Sequence, residues 1–439
     1  MKVIELQLEP TPTPARPARS VRTVLTAGLC ATLMFGPLAF GAVEPWSLFV
    51  LQGAAAALFC LWAVTHLAPG KTAIFQNAAL IPLFAFAAVV GAQIAFGITV
   101  YRQASESELL AGISYAMLLI VASECMRDRD HCEAIAVTLA CFAFLVACFA
   151  IFQNLTAPGL LYWRVRPRFG SWIFGPYVNH NHYAGLMELL LPFPLLLGLR
   201  RSAAAADKRA LAWFAAIVVA GSVLLSQSRG GMIAIAAEFV FCALFFVNQR
   251  NRGLVYALGG LCALVVAFLA LAATGNVFVR FGQIEPATRS AMTKDGFRMF
   301  LARPWLGWGL GTFPSVYPSF RSFYTNFFVN QAHNDLLQAL IETGLAGFAA
   351  VVAFLALVYR AGFRGVRGWQ HQPQRMLRLA CLVGCTGLLV HSLMDFNLHV
   401  PANAALFFVF CGFITGMDTD GEFARQAPAR RRTPGGLYS

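Results

Sequence analysis

Five of the eight histidines fall in or beside the connections between long apolar segments. They are His180, His182, His333, His391 and His399. The imidazole ring of histidine suits proton transfer near neutral pH. Histidine is also a common metal ligand, but the sequence has no HExxH motif and no cysteine pair in these connections. The pattern therefore favours a general base over a metal centre.

Arg229 ends an apolar segment in the run Ser-Gln-Ser-Arg-Gly-Gly. An arginine at that depth is costly unless it meets an anion, and its fork of donors suits phosphate. The two glycines would let the backbone turn tightly or let a ligand approach closely. The alternatives are a side chain that extends to the membrane surface, or an ion pair with Glu238 or Asp395.

Two long connections between apolar segments, Asn154–His182 and Gly275–Asp335, carry further basic residues. Arg289 and Arg298 lie in the second one, and both could face the membrane. In the first one, arginines alternate with apolar residues, which favours binding of lipid headgroups; they are Arg164, Arg166 and Arg168.

Amides, carboxylates and one histidine near the same connections are candidates for binding substrate. They are Asn179, Asn181, His182, Asn334, Asp335 and Asp395. Residues 305–313 read WLGWGLGTF, but no strand precedes this G-x-G-x-G, so it predicts a glycine-rich turn and not a nucleotide site.

A substrate with an anionic diphosphate and a long lipid chain would satisfy these features together. Two arginines would stabilise the departing diphosphate, as a divalent cation does elsewhere. A histidine would take the proton from an acceptor hydroxyl. No cofactor is predicted.

The elements that must position these residues are membrane helices. The chain has 439 residues, of which 58% are hydrophobic and only 12% charged, against about 25% charged in an ordinary soluble domain. A helix needs about 20 apolar residues to cross a membrane. We predict an all-α protein of about twelve spans: Thr23–Ala42, Trp46–Leu67, Ala79–Val100, Leu109–Cys125, Ala134–Ile151, Tyr183–Leu199, Leu211–Leu225, Met232–Val247, Leu254–Ala273, Ala346–Tyr359, Leu377–Val390 and Ala402–Met417.

The net charge of +13 follows the membrane topology and does not indicate a nucleic-acid partner. Most lysines and arginines fall on one side if both termini are cytoplasmic, as the positive-inside rule requires. The predicted organisation is a disordered tail at 1–20, one transmembrane domain at 21–418 and a second tail at 419–439. A large periplasmic loop at 274–335 contains a short amphipathic helix at Arg289–Ala302, ended by Pro304.

Several motifs in the second half of the chain carry a family resemblance. They are FGPYVNHNHYAGLMELLLP (174–192), LSQSRGG (225–231), R-x10-FLARPWLGWGLGTFPSVYP (289–318), QAHNDLLQALIETGLAGF (331–348) and HSLMDFNLHVPANA (391–404). Together they resemble the O-antigen ligase and polymerase superfamily of bacterial envelope enzymes.

The resemblance implies an inverting, metal-independent glycosyl transfer at the periplasmic face of the inner membrane. It makes His333 the base, with Arg229 and Arg289 binding diphosphate and Asp395 supporting the site or the acceptor. In this family a tryptophan often follows the loop arginine by four residues, and here that position is Thr293.

The implied partners are an undecaprenyl-diphosphate-linked glycan donor, a lipid A–core or glycan acceptor, and membrane lipids. A ligase is the leading hypothesis, and a polymerase using a second lipid-linked repeat unit as acceptor is the nearest alternative. A transporter of lipid-linked sugars would need paired broken helices or a polar path across the bilayer.

Overall fold

The protein is a bundle of helices in a computed structural model that describes residues 19–66, 77–167, 172–200, 206–247, 255–256, 258–262, 286–325 and 328–416. In chain order the principal helices are α1 (Arg19–Leu38), α2 (Pro45–His66), α3 (Leu80–Ala95), α4 (Arg102–Cys125), α5 (Arg129–Thr156), α6 (His180–Leu190), α7 (Pro192–Leu199), α8 (Ala206–Ser226), α9 (Arg229–Val247), α10 (Pro286–Ala302), α11 (Phe313–Val316), α12 (Asp335–Gly365), α13 (Pro373–His391) and α14 (Pro401–Thr415).

Eight segments in the described part of the chain are long and apolar enough to cross a membrane, and α3 and α14 are shorter apolar helices. These are α1, α2, α4, α5, the continuous pair α6–α7, α8, α9 and α12. The protein is therefore a helical, multi-pass membrane protein. The predicted count of about twelve stays a prediction, because most of the span at Leu254–Ala273 and nearly all of both tails lie outside the described residues.

The pair α6–α7 is the most buried of the eight segments. Its residues are apolar on nearly all sides, which is typical of a helix enclosed by other helices. Pro192 interrupts the pair where the backbone N–H of a continuous helix would be needed. This central position lets the first turn of α6 meet several other helices.

The helix α12 is broken at Gly344, where φ is 62° and ψ is −167°. The segment 304–309 lies against the break: the N–H groups of Leu345 and Ala346 donate to the carbonyls of Pro304 and Trp305, at 2.8 and 3.1 Å. A Cβ at Gly344 would lie 2.4 Å from the Trp305 backbone. The glycine therefore allows the long loop to dock into a membrane helix.

The described part of the long loop has its own small hydrophobic core. Met299, Phe313, Tyr317 and Ile341 are almost fully buried in it, and Trp308 packs against it. The Glu342 carboxylate accepts the N–H groups of Gly311 and Phe313 at 2.9 and 3.0 Å, which fixes the glycine-rich turn. The glycine-rich part of the loop is therefore anchored to α12.

Two local predictions for this loop, a short helix and a glycine-rich turn, are confirmed with small shifts. The predicted amphipathic helix is α10, which begins at Pro286 and ends at Ala302. Residues 305–313 form the predicted turn, with positive φ at Gly307, Gly309 and Gly311. The span predicted at Ala79–Val100 is a helix only to Ala95.

Candidate functional site

The first turns of α6, α9 and α12 meet the connection between α13 and α14, residues 391–400. The Asn181 amide reaches Asp395, and the Asp335 N–H donates to the Ser392 carbonyl at 2.9 Å. The first turn of α9 packs on His391 at Gly230. Helix N-termini expose N–H groups and favour anions, so three of them at one end of the bundle make a site suited to negative charge.

His333 and Asp395 form a pair at this end. The Nδ1 of His333 lies 3.2 Å from Oδ1 of Asp395, and the two side chains are 19% and 2% exposed. A carboxylate only accepts hydrogen bonds, so Nδ1 carries the hydrogen and Nε2 of the neutral ring is free to take a proton. His333 also has φ of 50°, a left-handed backbone conformation at which its ring turns away from the preceding loop residues.

Asp395 is fixed and ionised by its neighbours. Its Oδ2 accepts the Asn181 amide at 2.6 Å, and its Oδ1 accepts the Phe396 N–H at 2.9 Å. Burial alone would raise the pKa of Asp395, but the hydrogen bond and charge of His333 and the charges of nearby histidines hold it well below its usual range. The carboxylate can therefore orient the base and stabilise its protonated form.

Phe396 holds two of the predicted histidines. The rings of His182 and His333 meet it edge-on, with centroids 4.6 and 4.9 Å away. His182 is half-buried, and its Nε2, which is itself buried, has no hydrogen-bond partner among the described residues. The two histidines therefore share one aromatic support, although 150 residues separate them in the chain.

Asn179 and Asn334 act as helix caps. The Asn179 side chain accepts the N–H of Asn181 at 2.9 Å, and the Asn334 side chain accepts the N–H of Leu337 at 2.9 Å. Asparagine is among the best N-cap residues because its side chain satisfies an N–H that the helix leaves open. Both residues were predicted to bind substrate. They lie at the site, and there their side chains cap helices.

Asp335 ties the 391–400 connection to α12. Its carboxylate accepts the Ser392 hydroxyl at 2.6 Å, the Leu398 N–H at 3.0 Å and Nδ1–H of His399 at 2.7 Å. Burial opposes protonation of His399, but Asp335 outweighs it and raises the pKa of His399 to about 9. With three partners already bound, Asp335 supports the site and is poorly placed to bind substrate.

Arg229 is the first residue of α9 and is exposed. Gln227 makes the turn before it, with φ of 61°, and the Ser228 hydroxyl accepts the Gly231 N–H at 3.1 Å. Gly230 and Gly231 are helical and do not make the turn. They instead leave room for neighbouring side chains, which differs from the predicted turn or ligand approach.

One alternative raised by the sequence, an ion pair of Arg229 with Glu238, is excluded by the geometry of α9. Nine residues of helix separate the two side chains, which is about 13 Å along the axis and half a turn around it. Both carboxylate oxygens of Glu238 are buried and have no hydrogen-bond partner among the described residues.

Arg289 and Arg298 are placed differently. Arg289 lies on α10 and donates to the Met394 carbonyl at 3.3 Å, next to Asp395. Arg298 is nine residues further along, on the opposite side of the helix. Its side chain is 64% exposed and lies 3.6 Å from Asp295. The structure therefore brings Arg289 to the site, whereas the contact of Arg298 is with Asp295.

Two contacts of the site were not predicted by the sequence analysis, although His391 was among its candidate histidines. Gln338 accepts the Ala332 N–H at 2.8 Å and so fixes the backbone beside His333. His391 and Glu188 form a buried pair, with Nδ1 of His391 2.8 Å from Oε1 of Glu188. The sequence offered one signal for the contact of Gln338. This residue lies four positions before Glu342 on α12, and Glu342 fixes the glycine-rich turn of the loop.

The described residues include no group of three or more His, Cys, Asp and Glu side chains arranged to hold a metal ion. The carboxylates at this end instead bind histidines, amides and backbone N–H groups.

Fold and site thus define a multi-pass helical membrane protein whose polar side chains converge at one end of the bundle. A family model described as O-antigen ligase matches residues 214–352. The match supports the O-antigen ligase superfamily that the motifs predict. No curated protein matches the chain.

The matched segment runs from α8 into α12 and contains Arg229, Arg289 and His333. Asn181 and Asp395, which complete the site, lie outside it. The domain supports an enzyme of O-antigen ligase or polymerase type, and it implies lipid-linked glycan substrates in general.

Proposed function

We propose that the protein is a ligase that moves a preassembled glycan from undecaprenyl diphosphate to a hydroxyl of a lipid A–core or similar acceptor, at the periplasmic face of the inner membrane. The observation that carries this proposal is the His333–Asp395 pair beside the helix N-termini, within a chain that has an O-antigen ligase domain.

The transfer is a single displacement. Nε2 of His333 takes the proton of the acceptor hydroxyl, and the oxygen attacks the anomeric carbon from the face opposite the diphosphate. The new glycosidic bond forms as the bond to the diphosphate oxygen breaks, so the configuration inverts. Asp395 holds the ring and stabilises the imidazolium that results.

The diphosphate binds where arginine side chains and the N-terminus of a helix coincide. Arg229 and the first turn of α9 supply one set of donors, and Arg289 supplies another. Undecaprenyl diphosphate leaves as a stable anion, so the reaction needs no strong general acid. The two arginines stabilise the charge that a divalent cation stabilises in other enzymes, and the transfer is therefore metal-independent.

A purified enzyme in lipid, supplied with the donor and a lipid A–core acceptor, tests the reaction. We expect transfer to survive a chelator and to be slowed by roughly 10²- to 10⁴-fold in His333→Ala. Loss of activity with chelator and its recovery with zinc or magnesium would contradict the metal-free mechanism.

Deletion of the gene separates the ligase from the polymerase, which uses the same donor chemistry. We expect long polymer to accumulate without attachment to the acceptor. Single repeat units attached to the acceptor would instead indicate a polymerase, with a second lipid-linked repeat unit as its acceptor.

A further inference from the structure

The first turn of α9 is packed against two buried ionisable side chains. A Cβ at Gly230 would lie 2.4 Å from Nε2 of His391, and a Cβ at Gly231 would lie 2.6 Å from Cβ of Ala184 and 3.0 Å from Oε1 of Glu188. A larger side chain at Gly230 would displace His391, and one at Gly231 would press on α6 at Ala184 and Glu188. The Gly-Gly pair after Arg229 is therefore explained by its packing against these two side chains.

His391 and Glu188 hold each other rigidly. Nδ1 of His391 lies 2.8 and 3.2 Å from the two oxygens of Glu188, and the side chains are 1% and 0% exposed. The other ring nitrogen is therefore held against Gly230, next to Arg229. Because Glu188 lies on α6 and His391 ends α13, the pair joins three helices at one turn.

We propose that His391 and Glu188 are positioning residues for the diphosphate-binding turn of α9, with Glu188 fixing the imidazole that sets the place of Arg229. This inference rests on the proposed function, because the ligand of the turn is the donor diphosphate. Neither residue touches the substrate. They hold the first turn of α9 in place, so that its N–H groups and the Arg229 guanidinium face the diphosphate leaving group.

A second carboxylate in the same interface provides a matched control. Glu238 lies two turns deeper on α9, is 1% exposed, and packs on Gly387 of α13, where a Cβ would lie 2.1 Å from its Oε1. It shares the burial and the glycine contact of Glu188, but its oxygens have no hydrogen-bond partner among the described residues. Glu238→Gln therefore removes a buried carboxylate without disturbing His391.

The test compares Glu188→Gln, His391→Gln and Glu238→Gln in lipid nanodiscs. We measure kcat and KM for the glycan donor, KM for the acceptor, and the Kd of undecaprenyl diphosphate itself as the probe. We expect the first two variants to raise donor KM and probe Kd about tenfold, with acceptor KM unchanged, and Glu238→Gln to leave all three at the wild-type values.

A double-mutant cycle with Arg229→Lys separates positioning from general stability. If the pair acts through the α9 turn, Glu188→Gln adds little to the loss that Arg229→Lys already causes. Additive losses, equal effects of Glu188→Gln and Glu238→Gln, or a lowered melting temperature with unchanged donor KM would overturn the inference. Wild-type enzyme that binds the probe but transfers no glycan would contradict the proposed function instead.

Discussion

Three histidines at one end of the bundle bind a carboxylate through the same ring nitrogen, Nδ1. The pairs are His333–Asp395, His391–Glu188 and His399–Asp335. The three pairs differ in the surroundings of the histidine ring. His391 is buried against a helix turn, and the pKa of His399 is raised to about 9, so its ring is protonated near neutral pH and is a poor base. His333 is partly exposed, and its carboxylate is held by Asn181 and the Phe396 N–H.

The first prediction concerns this pair. We expect His333→Ala to lower kcat by roughly 10²- to 10⁴-fold, the usual contribution of a general base. Asp395→Asn should also lower kcat severely, because an amide in place of the carboxylate cannot stabilise the imidazolium. His371→Ala, at an exposed position between α12 and α13, is the control for loss of a histidine. Wild-type kcat in His333→Ala would exclude His333 as the base.

The second prediction concerns stability and pH. The pKa of His399 is raised from 6.5 to about 9, so the folded protein holds this proton more tightly than the unfolded chain. The stabilisation is therefore complete below pH 6.5 and is lost as the pH rises through about 9. We expect the melting temperature of wild type to exceed that of His399→Gln at pH 6, and the difference to shrink by pH 9.5. A constant difference would contradict the assignment.

At the scale of elements, the break in α12 joins the long loop to the membrane bundle. The segment 304–309 and the helix exchange backbone hydrogen bonds in both directions, since Trp308 and Gly309 donate to the carbonyls of Ile341 and Glu342 at 3.2 and 2.9 Å. Gln93 of α3 donates to the Glu342 carbonyl at 2.8 Å on the other side. The loop that leads to His333, the proposed base, is therefore fixed to the helix bundle on two sides.

The third prediction follows from Gly344. Its φ and ψ belong to a region used almost solely by glycine, and a strained residue there costs about 1–3 kcal/mol before any clash. We expect Gly344→Ala to lower the melting temperature and to expose residues 303–325 to protease. Gly91→Ala on α3 has nothing within 4 Å of the new Cβ and should be neutral or slightly stabilising. Equal behaviour of the two variants would contradict the docking role.

The sequence predicted those elements whose signal is local. Hydropathy located α5, α8 and α9, and a short amphipathic pattern located α10, because each pattern is carried by the residues of one helix. It did not predict the pairing of Glu188 with His391, which are 203 residues apart. Nor did it predict the break at Gly344, whose cause is a backbone segment contributed by the preceding loop. Such contacts depend on how helices meet, which no single segment encodes.

At the scale of the whole molecule, the site lies at one end of the bundle and the 366–372 connection at the other. The 31 residues of α12 separate the two ends, which is about 46 Å, and more than a bilayer core requires. The proposed topology makes the first end periplasmic and the second cytoplasmic.

The fourth prediction tests this topology. Tyr324 is 85% exposed near the site, and His371 is exposed at the opposite end. In cells with a permeable outer membrane, we expect an impermeant maleimide to label Tyr324→Cys above the background of the native cysteines. His371→Cys should be labelled only after the inner membrane is opened. The reverse pattern would place the site in the cytoplasm and exclude the proposed reaction.

The residues that complete the base arrive late in synthesis. His333 and its loop frame, with the break in α12, are built from residues that are close in the chain, so they can form while later helices are still being made. Asp395 follows α13, and the connection that holds it is closed by α14. A chain that is still being translated therefore contains Arg229, Arg289 and His333 before it contains Asp395, the carboxylate that pairs with His333. Under the proposed mechanism, an unfinished chain lacks the group that orients its base.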